Sequence, residues 1–354
     1  MLRTIELWGS PAQRGRRHGQ LLAAEIRQMR RELLTYLARI SLYAGAVPLF
    51  GLLKMLARRF WPFIPDPYKE EMAAAARAAH VGLGALLLLN VADDLANNSP
   101  RCSALAVGEG RTGGPYLMGR NLDYPVFTKV LSSLKTLFRW EGAGGVEVAS
   151  LAWPGYLGVC TGTNRAGVAL AQLSSMSRDR TTDGVPASLR FRQALEEGRN
   201  VAEVAARVME LPGTIGNNLM LCGPEEAAVV ELSARRAVVR RPRGGLITAT
   251  NHYQSPRMGP LKGRFPPRPP FSVLSSYHFT EAYSASRDRR LRQLAAGKKL
   301  GPSDLQTILA DDRIANAGTA VCAVFAPAVG TLWVALRAEP PVNLGPFTEI
   351  RLWQ

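Results

Sequence analysis

The apolar pattern of this chain changes abruptly at NNSPR, residues 97–101. Before it, GQLLAAEIRQMRRELLTYLARI and EEMAAAARAAHVGLGALLLLN carry apolar residues at three- and four-residue intervals, with the break IPDPY between them. That spacing gathers apolar side chains on one helical face and predicts helices. After the break come short runs rich in Val, Leu and Ala, punctuated by Gly and Asn: CSALAV, YLMGRNLD, GVEVASLAW, LGVCTGTN and GVALAQLS. These predict antiparallel strands with tight connections. Helical periodicity returns over residues 188–211, split near Gly198, and NNLMLCG, EAAVVELS, RAVVRRP and GLITATNHY read as further strands. A Pro-rich loop, GRFPPRPPFSV, leads to a helix in SASRDRRLRQLAAG and to two strands in GTAVCAVFAPAVGTLWVALRAEPP. The order helices, strands, helices, strands, helix, strands predicts a layered α+β fold rather than a doubly wound parallel sheet.

Composition narrows the function classes. A chain of 354 residues that is 47% hydrophobic and 20% charged is folded and has length enough to bury a core. Its four cysteines have no paired spacing and its four histidines lie far apart, so neither a disulfide framework, a metal site nor a cofactor is expected. No apolar secretory segment opens the sequence. ISLYAGAVPLFGLL, residues 40–53, is too short for a span, which takes about 20 residues. Its basic, amphipathic flanks fit a pair of core-packing helices or a surface that skims a membrane, and the expected location is cytoplasmic, peripheral at most. The net charge of +16 is concentrated in residues 235–300, with 15 basic and 2 acidic side chains. Such a face suits anionic partners (phospholipid headgroups, a phosphorylated acyl carrier) or is simply solvated. Nucleic acid is not expected, since no aromatics interleave with the charges and no binding motif accompanies them.

The chemistry-bearing candidate is Cys102, placed directly after the polar break. A thiol needs a base or a nearby cation to become a nucleophile. Three sources are open: a histidine partner, a positive neighbour, or the cysteine's own α-amine if the chain is cut just before it. Arg120 and Asp123, in GGPYLMGRNLDYP, follow at a spacing that a hairpin return strand brings back beside Cys102. An arginine can stabilise a thiolate and an aspartate can hold an ammonium, although an Arg–Asp pair is also a common structural salt bridge. Asn164 in TGTNRAG and Asn251 in ATNHY end predicted strands, where an amide donates to an oxyanion or merely makes a turn. His252, beside Asn251, is the candidate for a Cys–His dyad; His18 reads as a packing or capping residue, and Cys160, Cys222 and Cys322 read as core.

Together, Cys102, GRNLDYP, TGTNRAG, ATNHY and SASRDRRLRQL resemble the acyltransferase and amidase family of N-terminal-nucleophile hydrolases. That family includes acyl-coenzyme A:6-aminopenicillanate acyltransferase and, more distantly, acid ceramidase, N-acylethanolamine acid amidase and bile-salt hydrolase. The resemblance implies a four-layer αββα sandwich and a precursor that cuts itself between Arg101 and Cys102. It divides the chain into a helical segment, 1–101, and a catalytic segment, 102–354, within one integrated domain. Cys102 is then nucleophile through its sulfur and base through its amine. Arg120 and Asp123 match the supporting pair, Asn251 the oxyanion asparagine and Asn164 a second asparagine lining the site. Arg287 matches a later supporting arginine, with Arg290 as a rival. Arg101 departs from the small or acidic residues usual before the scissile bond. The resemblance implies a small amide or acyl substrate; the apolar helices and the basic segment suggest, on composition alone, that it is lipid-like or anionic, a lipid amide or acyl-coenzyme A, with an anionic membrane surface as a further partner. An uncut, catalytically silent relative that binds anionic lipid or acyl ligands is the alternative.

Overall fold

In the computed structural model, residues 2–43, 45–96, 101–108, 110–142 and 144–353 are described. Strand β1 (Arg3–Leu7) precedes helices α1 (Pro11–Leu21), α2 (Ala23–Tyr43), α3 (Leu49–Ala57), α4 (Asp66–Ala78) and α5 (Leu83–Ala96). Then come β2 (Arg101–Val107), β3 (Leu117–Asp123), α6 (Thr128–Leu134), β4 (Thr136–Glu141), β5 (Glu147–Ala152), β6 (Thr161–Asn164) and β7 (Ala169–Ser174). Helices α7 (Ala187–Glu197) and α8 (Val201–Glu210) lead to β8 (Asn217–Cys222), β9 (Ala227–Leu232), β10 (Ala237–Arg240) and β11 (Leu246–Ala249). The chain closes with α9 (Glu281–Leu294), α10 (Pro302–Leu309), β12 (Thr319–Ala326), β13 (Thr331–Ala335) and β14 (Phe347–Arg351).

The described residues form two sheets, one ordered β1-β4-β5-β6-β7-β8-β9-β10 and the other β11-β2-β3-β12-β13-β14. Three apolar layers show how they stack. One joins the first sheet to α2–α5, α7 and α8, through Leu22, Ile26, Met72, Leu86, Phe191 and Leu219 among others. A second lies between the sheets, where Cys102, Ala104 and Ala106 of β2 face Ala169 and Ala171 of β7. A third packs Leu105 and Val107, the alternate residues of β2, against Leu291 of α9 and Leu305 and Leu309 of α10. Successive strand residues point to opposite faces, so the two halves of CSALAV serve two different cores. The layer order is helix, sheet, sheet, helix, the α+β sandwich expected from the resemblance.

Two details depart from the sequence reading. The first segment is not wholly helical: RTIEL forms β1 and pairs parallel with β4, Ile5 opposite Phe138. Its weak signal has a physical origin, since only Ile5 and Leu7 of this short edge strand are buried. The expected boundary between residues 101 and 102 also falls inside a strand, because β2 begins at Arg101, opposite Asp123 of β3. The NNSP part of the break, read as exposing the scissile bond, lies outside the described residues.

Candidate active site

Pairing of β2 with β3 sets Cys102 opposite Leu122 and Ala104 opposite Arg120. Long side chains on one face of a ladder reach diagonal neighbours. Arg120 does so: its Nη2 lies 3.2 Å from the Cys102 sulfur. The same guanidinium donates to the carbonyls of Cys160 at 3.2 Å and Gln172 at 3.0 Å, and to the Thr161 hydroxyl. Those bonds fix the cation in the buried space between the sheets, and the one Arg120–carboxylate reading available from sequence, a plain Arg–Asp salt bridge, is not among the described ion pairs. Burial pushes the Cys102 thiol up from its ordinary value, and Arg120 pulls against that shift.

On the other side of the strand, the Cys102 backbone N–H donates to Asn251 Oδ1 at 2.9 Å. Asn251 follows β11, the strand paired with β2, and its Nδ2 donates to the Ser174 carbonyl at 2.8 Å. The orientation of this amide follows from its partners, because its oxygen also accepts from Arg287 Nη2 at 2.8 Å. Arg287 further donates to the Cys102 carbonyl at 2.6 Å and to the Ser103 hydroxyl at 2.8 Å. Arg287 therefore holds the backbone of the nucleophile, whereas its rival Arg290 pairs with Asp311 near the surface. In this uncut chain Asn251 presents its acceptor, not its donor, to residue 102.

Asp123 sits at the end of β3 opposite Arg101, and its Oδ2 accepts from Asn316 Nδ2 at 2.7 Å. Burial raises its carboxyl to about 6, opposed by Arg287 and by hydrogen bonds from Asn316 and Thr319. Asn316 also donates to the Tyr283 hydroxyl at 3.1 Å, and Tyr283 packs under the Arg287 guanidinium with its ring centre 4.4 Å away. Asn316, Ser174 and Thr161 are site residues that the sequence analysis missed, each an ordinary polar residue near a strand end.

Two candidates fall elsewhere. Asn164 does not line the site: its Nδ2 donates to the carbonyls of Leu195 and Gly198, and its Oδ1 accepts from Val168 N–H. It ties the β6–β7 turn to the end of α7, which is the turn role an asparagine in TNRAG equally serves. His252 Nδ1 lies 2.8 Å from the Ser284 hydroxyl and 3.1 Å from that of Thr250. Ser284 in turn accepts from Asn251 N–H, so the histidine is separated from Cys102 by Asn251 and its partners.

Between α2, α5 and the turn after β3 opens a cleft. Met29, Leu33, Tyr124, Phe127, Trp153 and Tyr156 give it apolar walls. Glu32 and Asp93 are its charged lining residues, and Asp93 accepts from the Tyr124 hydroxyl at 2.9 Å. The Pro-rich loop packs near its rim, with Val273 N–H donating to the Pro125 carbonyl and Arg39 stacked on Phe271 at 3.9 Å.

The profile of the acyl-coenzyme A:6-aminopenicillanic acid acyl-transferase family matches residues 110–339, a stretch that holds Arg120, Asp123, Asn251 and Arg287 and begins just after β2. The chain belongs to this family. It is 25% identical to the protein dcd1A of Dictyostelium discoideum over 240 residues, 60% of this chain and 54% of that one. It is 26% identical to the N-acylethanolamine-hydrolyzing acid amidase of Mus musculus over 112 residues, 32% and 29% of the two chains. The chain spans about half the length of the first curated relatives it matches. A solved Caenorhabditis elegans N-acylethanolamine-hydrolyzing acid amidase ortholog superposes with a TM-score of 0.47 and 16% identity, covering 64% of this chain and 93% of that one.

Proposed function

We propose that this family member is a self-activated cysteine amidohydrolase or acyltransferase that works on a linear, lipid-like amide. The observation that carries the reading is the setting of Cys102, with Arg120 3.2 Å from its sulfur and Asn251 2.9 Å from its nitrogen. In the first step the Cys102 sulfur attacks the Arg101 carbonyl carbon. The Arg101–Cys102 C–N bond breaks, the thiol proton passes to the departing nitrogen, and a thioester links the two segments. Water then hydrolyses the thioester, leaving a carboxylate on Arg101 and a free α-amine on Cys102.

That amine serves as the base for the second reaction, taking the thiol proton as the sulfur attacks a substrate amide. Asn251 Oδ1 and the Asp123 carboxylate hold the resulting ammonium, Arg120 favours the thiolate, and the Asn251 amide is the proposed donor to the oxyanion. The ammonium protonates the leaving amine. Water or a second amine then releases the acyl group from the Cys102 thioester. The apolar cleft supports an aliphatic or aromatic acyl chain, and its charged lining among the described residues, Glu32 and Asp93 with no basic side chain, favours an uncharged amide there over the phosphates of acyl-coenzyme A.

The same reading extends to an anionic membrane surface as partner. Leu42, Tyr43, Val47, Leu52 and Met55, at the tip of the α2–α3 hairpin, are exposed, and residues 33–65 hold four basic side chains and no acidic one. Among the described residues no helix is long and apolar enough to cross a membrane. The basic segment 235–300 is a weaker candidate than its composition suggested. Arg235, Arg240 and Arg241 pair with Asp179, Glu231 and Glu226, acids from outside the segment.

The test is turnover of N-acyl amides by wild type and by Cys102→Ala and His252→Ala. Loss in the cysteine variant with activity kept in the histidine variant is the expected result. A dead His252→Ala with an active fold would replace the amine by the histidine as base, and a wild type inert toward every amide but able to bind them would favour the silent relative.

A further inference from the structure

Arg101, the residue that fits the family pattern least, is enclosed by aromatic rings and a backbone carbonyl. Its side chain is wholly buried. The guanidinium lies 4.3 Å from the ring centre of Phe279 and 5.7 Å from that of Phe265. Its Nε donates to the His278 carbonyl at 3.0 Å, and the Asp123 carboxyl stands opposite it on β3. Aromatic faces, a carbonyl oxygen and a carboxyl are the groups that replace water around a desolvated planar cation. Because neighbouring residues of β2 alternate in direction, Arg101 and Ser103 face α9 while Cys102 faces the inter-sheet core. The side chains of Arg101 and Cys102 thus lie on opposite faces of one sheet, at the start of the same strand.

A second cleft lies against the segment around His278 and is lined by Tyr277, His278 and Tyr283, with Arg289, Asp312 and Arg313 among its polar lining residues. Tyr277, His278 and Tyr283 form an edge-packed aromatic cluster with ring centres 4.6–6.3 Å apart. In the uncut chain Arg101 is tethered in the slot by its bond to Cys102. Once that bond is broken, Arg101 is a chain end joined only through Pro100, and a ligand carrying a similar group can compete for the contacts of its side chain.

We propose that self-cleavage turns the Arg101 slot, walled by Phe265, Phe279 and the His278 carbonyl, into a subsite for a guanidinium or ammonium group on the amine portion of the substrate. The acyl portion enters the apolar cleft, and the two portions meet around the new N-terminus of β2. This assignment rests on the self-processing reading above, and deepens it by naming the chemistry of the amine.

Intact-mass measurement first establishes that the wild-type preparation is cut. Titration of this processed protein with n-propylguanidinium, followed by calorimetry and thermal shift, then reads the slot directly. Saturable binding is expected, weakened about tenfold for neutral n-propylurea and about tenfold by Phe279→Leu, the ratio a desolvated cation–π contact supports. Arg101→Ala empties the slot whether or not the chain is cut and should bind n-propylguanidinium in the same way. Failure of Arg101→Ala to bind overturns the slot as a cation site, whether or not wild type is cut. Binding by Arg101→Ala but not by processed wild type shows that Arg101 stays in place, and overturns the subsite while leaving self-processing intact. An uncut wild type overturns both readings.

Discussion

Lowering the pH should loosen the junction between the 1–101 segment and the rest of the chain, through His18. This histidine on α1 is buried, and its Nε2 accepts the Gly155 N–H at 3.0 Å from the loop after β5. A protonated ring cannot accept that bond. Burial lowers its pKa from 6.5 to about 4, with nearby Arg192 acting in the same direction and Glu71 opposing it. The unfolded chain takes up the proton near 6.5 and the folded chain resists it until about 4, so this contribution is complete above the first value and lost as pH falls toward the second. The whole shift corresponds to about 3 kcal/mol, of which about 2 kcal/mol is gone by pH 5. The buried carboxyls of Asp94 and Asp123, raised to about 7 and about 6, titrate with the opposite sign and must be subtracted. Comparison with His18→Gln does this, since glutamine keeps an acceptor for Gly155 but does not titrate. Urea unfolding of both proteins at pH 7 and pH 5, in a Cys102→Ala background so that each remains one chain, is the assay. The stability gap should move against the histidine protein by about 2 kcal/mol between the two pH values. An unchanged gap would refute the assignment of a neutral, accepting His18.

Arg287→Met should destabilise the uncut chain by about 2–3 kcal/mol, measured by denaturant unfolding, because the Cys102 carbonyl and Asn251 Oδ1 lose a buried charged donor. Turnover should fall as pH drops through about 6, where Asp123 loses its charge, and Asp123→Asn should lack that limb of the profile while being slower throughout. Leu42→Glu with Met55→Glu should weaken co-sedimentation with anionic vesicles but leave turnover of a short soluble amide unchanged, since both side chains are exposed and away from the cleft. Equal vesicle binding by the double variant would remove the α2–α3 tip as the contact.

The sequence carried those parts of the site that depend on local register. Cys102 and Arg120, eighteen positions apart, lie on the two strands of one hairpin, and its return places Arg120 diagonally from the cysteine as that spacing allows. The two-residue alternation of CSALAV likewise foretells a strand, although not that its two faces fill different cores. Non-local geometry was less legible. Asn164 and Asn251 look alike at strand ends, and only the packing of α7 against β6 shows that the former binds helix carbonyls. Arg287 and Arg290 are three residues apart on α9, and the helix turns one toward Cys102 and the other toward Asp311. The +16 charge read as a basic face because Glu231, Glu226 and Asp179 lie outside the segment they neutralise. Strand β1 was missed because a five-residue edge strand with two buried side chains leaves almost no periodic signal.

The central claim is that Cys102 becomes a chain terminus. Denaturing mass spectrometry of the purified wild type, beside Cys102→Ala, tests it most directly. Two fragments are expected from wild type, one ending at Arg101 and one beginning at Cys102, and a single intact chain from the variant. A wild-type chain that turns over amides while remaining whole would contradict it.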